Sequence, residues 1–193
     1  MTADAQAERT AVLAHLNSPH VSAPTRRVLL ERLDARHERQ FFTEAEFAQL
    51  RALAVRLLPH DPAELDLTGT VDHRLQSGVT DGWRYDDTPP DGDAYRALLA
   101  SLPGDFGSRP EAEQDEAIHA AQRTLPHAFE DLLAELTEAF MAHPLTQYRF
   151  GYAGFADVPG WPAVTPNTLE PREMQAGPGS DLTTGWEASH AAR

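Results

Sequence analysis

The chain has 193 residues, 41% of them hydrophobic, with a formal net charge of −14 at pH 7 and no cysteine. Such a surface repels phosphate backbones and anionic lipid heads, so nucleic acid and membrane surfaces are poor partners. All 16 basic residues are arginine. This excludes lysine Schiff-base chemistry and a Walker-type phosphate loop, and the lack of cysteine excludes disulfides, thiolate nucleophiles and Cys-ligated metal clusters.

The length suggests one domain. Ala3 to Leu16 reads as a first helix, with Val12, Leu13 and Leu16 on one side and Asn17-Ser18-Pro19 as its stop. Pro24 falls in the first turn of a second helix, where its missing N–H costs nothing. That helix is expected to run to about Arg39 with Val28, Leu29 and Leu33 as its apolar stripe. Thr43 and Glu46 have the spacing of a capping box, Phe42 and Phe47 that of a hydrophobic staple, and Leu50, Ala54 and Leu57 continue the apolar face to Pro59. A connector from His60 to Asp66 leads to a short helix, Leu67 to about Gln76. Ser77 to Asp93 is crowded with Gly, Pro and Asp and reads as a loop whose Trp83 and Tyr85 tuck against the body. Helix returns from Ala94 to Leu102, and Phe106 falls in the following loop. Pro110 to Arg123 is an acidic helix with little apolar stripe. Pro126 opens the last long helix, with Phe129, Leu132, Leu133, Leu136 and Phe140 at spacings of three and four, closed by His143-Pro144. Pro162 to Arg193 lacks periodicity and reads as extended or disordered. With no β-alternation, the expected fold is all-α: one domain of six or seven helices and an irregular C-terminal tail.

The residues bear on four kinds of chemistry. A metal site is suggested by Glu116-Ala117-Ile118-His119, but a carboxylate-bridged di-iron bundle needs two Glu-x-x-His motifs on core helices. The other copy, Glu187 to His190, falls in the tail, and Asp34 to His37 sits in a charged segment, so no metal ligand is assigned. A serine hydrolase lacks its G-x-S-x-G elbow. A dinucleotide fold lacks its strand–glycine–helix turn, so the chain is expected to hold no cofactor of its own. The fourth is a protein interface. Phe150, Gly151, Tyr152, Gly154 and Phe155 set three aromatics among glycines, with Trp161 following. Loop aromatics bury large area at small entropic cost and suit anchoring into a partner, or they fold back over the chain's own core.

No apolar run approaches the roughly 20 residues that span a bilayer, so no membrane insertion is expected. Arg26-Arg27 has the look of a twin-arginine pair, but charged Glu31 to Arg39 follows where an export signal is apolar. The expected location is cytoplasmic, or periplasmic if the chain is exported with a partner.

Several of these segments, taken together, are distinctive. F-F-T-x-x-E at Phe41 to Glu46 leads into a helix ending L-L-P. V-D-H-R-L follows at Val71 to Leu75, then D-G-W-R-Y-D-D-T-P-P-D-G-D-A-Y-R-A-L-L from Asp81 to Leu99, and finally G-Y-A-G-F…P-G-W from Gly151 to Trp161. The set resembles the gluconate 2-dehydrogenase subunit 3 family over about Gln40 to Trp161. The resemblance divides the chain into an N-terminal helical extension (1–39), a subunit-3-like domain (40–161) and a tail (162–193). It implies a small, cofactor-free accessory subunit that pairs with a large FAD-containing dehydrogenase of the glucose–methanol–choline type acting on sugars or sugar acids. Such a subunit helps the large one fold and mature, and a haem c protein often carries the electrons onward. The positions that correspond are Phe41, Phe42 and Thr43, Asp72, and Gly151, Tyr152, Gly154 and Trp161; none is catalytic. The chain departs from the family at its start, where two polar helices stand in place of a signal and apolar segment. The alternative is therefore a free-standing α-helical scaffold or adaptor that has kept the fold without a dehydrogenase partner.

Overall fold

The computed structural model describes residues 3–80, 82 and 88–152. Trp83, Tyr85 and everything from Ala153 onward, including Gly154, Phe155, Trp161 and the 162–193 tail, lie outside the described residues. Among the described residues there are eight α-helices and no strand: α1 Ala3–Leu16, α2 Ala23–Asp34, α3 Glu44–Leu57, α4 Leu67–Ser77, α5 Asp91–Ser101, α6 Glu111–Thr124, α7 Pro126–Ala142 and α8 Pro144–Arg149, with a 3-10 turn at Phe106–Ser108. The all-α reading of the sequence holds, with one helix more than it foresees. None of these helices is long and apolar enough to cross a membrane.

α7 is the most apolar helix and sits at the centre, packing against α4, α5, α6 and α8, while α3 packs on α4, α5 and the 3-10 turn. The core runs from Val12 and Leu16 of α1 and Leu29 and Leu33 of α2, through Leu50, Leu53 and Ala54 of α3 and Leu98 and Leu99 of α5, to Leu132 and Leu136 of α7. The helices α1 and α2 thus share one core with the other described helices. Phe106 is fully buried by the 3-10 turn rather than lying in an open loop.

The start of α3 forms as its sequence dictates. Thr43 Oγ1 accepts from the Glu46 N–H at 3.3 Å while Glu46 Oε2 accepts from the Thr43 N–H at 2.8 Å, satisfying two of the donors a helix start leaves open. Phe42, just before the cap, is 1% exposed. Burying such a ring is worth about 1.5–3 kcal/mol. The approach to this cap depends on a residue 30 positions away. Asp72 of α4, fully buried, accepts from the backbone N–H of Gln40 at 2.6 Å, of Phe41 at 3.1 Å and of Phe42 at 2.9 Å. One turn earlier, Asp66 caps α4 by accepting from the Gly69 N–H at 3.0 Å and takes the His37 N–H at 2.8 Å with its other oxygen. These two carboxylates draw residues 37–42 out of helical conformation. For that reason α2 ends at Asp34 and not near Arg39.

Candidate protein-binding face

The face that contains the aromatic segment is built on α8. Pro144 occupies the first helical position, where its fixed φ and absent N–H suit a helix start, and the His143 side chain caps it, Nδ1 accepting from the Leu145 N–H at 3.3 Å. Leu145 and Thr146 turn inward and are buried. Arg149 fixes the outer end: its guanidinium donates to Glu8 of α1 at 2.7 Å and to Glu64, ahead of α4, at 2.7 Å.

α8 then closes in a Schellman motif. The Gly151 N–H donates to the Tyr148 carbonyl at 3.0 Å and the Tyr152 N–H to the Gln147 carbonyl at 2.8 Å. Gly151 has φ of +68°, left-handed backbone that glycine adopts without steric cost. The turn holds the neighbouring aromatics outward. Phe150 is 66% exposed, Tyr152 56% and Tyr148 45%. Of the two readings open at the sequence level, Phe150 and Tyr152 do not fold back over the core. Tyr148 joins them, a residue the sequence gives no reason to single out because it lies beyond the expected end of the helices.

Tyr152 and Gln147 also form one side of a groove against α2, whose Pro24, Thr25, Arg27, Val28, Leu29 and Arg32 form the other; it encloses about 390 Å³. Val28 and Arg32 also line an inner groove of about 370 Å³ between α2, α4 and α7, walled by Ala35, Leu67, Ala139, Ala142 and His143 among others. His143 is only 7% exposed. Burial, together with the charges of Arg36, Arg149 and Arg9, pushes its pKa down to about 4, so the ring is neutral at pH 7.

The other polar constellation ties helices together. Between α4, α5 and α7, the Arg74 guanidinium donates to Glu135 at 2.7 Å and to Asp91 at 2.9 Å, and the Tyr95 hydroxyl donates to Glu135 at 2.9 Å. Burial and the neighbouring Glu135 carboxylate hold the Tyr95 phenol well above its ordinary range, so it stays a hydrogen-bond donor. The donors and acceptors of this network are matched to one another. Glu116 and His119 stand exposed on α6, Asp34 is paired with Arg9, and His37 is stacked on His73 with ring centroids 4.4 Å apart. Among the described residues no group of three or more His, Asp or Glu side chains is gathered to hold a metal ion.

Compared with models of known protein families, with curated proteins and with solved structures, the chain matches none. Of the residues that correspond in the family resemblance, Phe41, Phe42 and Asp72 come together as the anchored entry to α3. Phe150, Gly151 and Tyr152 come together on the α8 turn, whereas Gly154, Phe155 and Trp161 lie outside the described residues.

Proposed function

We propose that this chain is the small, non-catalytic subunit of a flavin-dependent dehydrogenase of the glucose–methanol–choline type, acting on sugars or sugar acids, and that it grips the large subunit through the aromatic turn after α8. The reading is supported by one observation above others: Tyr148, Phe150 and Tyr152 stand exposed on a turn that two backbone hydrogen bonds hold rigid. Three large rings on a fixed frame give up little conformational freedom on binding, the condition under which aromatics become the dominant anchors of an interface. The flavin belongs to the partner. This chain contributes by mass action, since whatever binds only the folded large subunit stabilises it and favours its maturation.

The test is co-expression of the tagged chain with any flavoprotein dehydrogenase encoded by a neighbouring gene, followed by affinity capture. The reading expects a yellow complex with flavin absorbance, and expects Phe150→Ala/Tyr152→Ala to lose the partner while keeping the helical circular dichroism of the parent. Capture of the tagged chain without a flavoprotein, under conditions where both are soluble, overturns it in favour of a helical scaffold that works without an enzyme.

A further inference from the structure

The outer groove between α2 and α8 has an unusual charge balance for this protein. The chain as a whole has a net charge of −14. Yet none of the residues walling the outer groove is acidic, and two of them, Arg27 and Arg32, are arginines. Most described arginines are held by carboxylates or carbonyls: Arg9 pairs with Asp34, Arg56 with Asp115, Arg109 with Asp105 and Arg149 with Glu8 and Glu64. Arg26, the neighbour of Arg27, donates to the carbonyls of Leu16, Ser18 and Val21 and closes the end of α1. The guanidiniums of Arg27 and Arg32 make no hydrogen bond or ion pair with any described residue.

The inner groove has the opposite character. From Val28, shared by both, it leads inward over Leu67, Ala139 and Ala142, and the buried, neutral His143 forms part of its wall. Glu31 and Asp66 also line it. Asp66 is already engaged with the His37 and Gly69 N–H groups. An anion is therefore favoured at the outer end, whose wall holds the two arginines and no carboxylate, and an apolar body at the inner end. A volume of about 370 Å³ falls within the range of small-molecule sites.

We propose that these two grooves, which share Val28 and Arg32, together bind a medium-chain aliphatic carboxylate, its headgroup at Arg27 and Arg32 and its chain running past Val28 toward Ala139 and Ala142. Guanidinium is the side chain best suited to a carboxylate, meeting it through two parallel hydrogen bonds. This assignment does not depend on the dehydrogenase partner.

Decanoate is the probe, titrated into the full chain by calorimetry and followed in parallel by the imidazole resonances of His143. The expected result is saturable one-to-one binding that shifts those resonances, with acetate not binding and decanol binding at least about tenfold more weakly, the scale of a lost charge-assisted hydrogen bond. Arg27→Gln/Arg32→Gln is expected to weaken decanoate at least about tenfold on the same ground. Val28→Trp, at a residue already exposed, fills the junction and is expected to abolish the His143 shift, with circular dichroism checking that the helices remain. The proposal is overturned if decanoate gives no saturable signal, if both variants bind it like the parent, or if a hexaglutamate peptide binds and decanoate does not.

Discussion

Replacing Asp72 by alanine is expected to destabilise the chain by about 3–6 kcal/mol. Asp72 is fully buried and takes three backbone N–H groups at 2.6–3.1 Å. Hydrogen bonds to a charged group contribute about 1.5–3 kcal/mol each, and a buried donor left without a partner keeps its full desolvation cost. The Phe42 N–H is in buried surroundings and is charged in full. Those of Gln40 and Phe41 are part-buried and regain water when the carboxylate goes, so each counts for about half. For a domain of this size 1 kcal/mol corresponds to about 2–4 °C in Tm, so the midpoint should fall by about 6–24 °C. Asp72→Asn should lose a large part of this, because its amide nitrogen brings N–H donors to where backbone N–H groups already point. Urea denaturation of the three proteins, monitored by circular dichroism at 222 nm, measures the differences. A loss below about 1 kcal/mol for Asp72→Ala, the level of one ordinary hydrogen bond, would refute the idea that this carboxylate organises the entry to α3.

Two further consequences are open to measurement. Because the His143 pKa is lowered to about 4 in the folded chain, the unfolded state takes up a proton first as pH falls. Its contribution is complete above the ordinary pKa of about 6.5 and declines as pH drops toward 4, by at most about 3 kcal/mol. His143→Asn keeps a capping oxygen without the titration, so the difference in urea midpoint between it and the parent should narrow from pH 7 to pH 4; a difference constant over that range contradicts the assignment. Glu135→Leu should cost about 2–4 kcal/mol by removing one of the two carboxylates on Arg74 and the acceptor of the Tyr95 hydroxyl, and Arg74→Met/Glu135→Leu should cost less than the sum of the two single changes, since both remove the same hydrogen bonds. If thermal melts show the two losses simply adding, the pair is not coupled.

The helices legible in the sequence are those whose instructions are local. α3 has its cap, box, staple and stripe within sixteen consecutive residues, Phe42 to Leu57, and α7 has its apolar stripe in one run; both form where expected. Non-local information accounts for the rest. α2 stops five residues early because Asp66 and Asp72 claim the backbone that would have continued it, and carboxylates on a later helix leave no mark on residues 35–39 themselves. α5 begins at Asp91 and not Ala94, with Pro90 at its cap and Asp91 and Asp93 in a first turn where negative charge is favoured. α8 was hidden by reading Pro144 as a terminator, although proline just inside a helix start is as regular a signal as proline after its end. At the candidate face, the aromatic and glycine content of residues 150–152 is visible in the sequence, but their exposure depends on the Schellman turn. The grooves were not legible at all, since the outer one requires α2 to lie beside α8 and the inner one requires it to lie beside α7, elements about a hundred residues away in sequence.

The central claim, that this chain grips a flavoprotein and performs no reaction itself, is tested most directly by the mass and absorbance of what it forms with that partner. Light scattering combined with flavin absorbance across a gel-filtration peak should give a defined complex containing one flavin per large subunit, and Phe150→Ala/Tyr152→Ala should return a colourless chain of 21.2 kDa. A parent chain that elutes alone and colourless beside a soluble, flavin-loaded dehydrogenase would contradict the account.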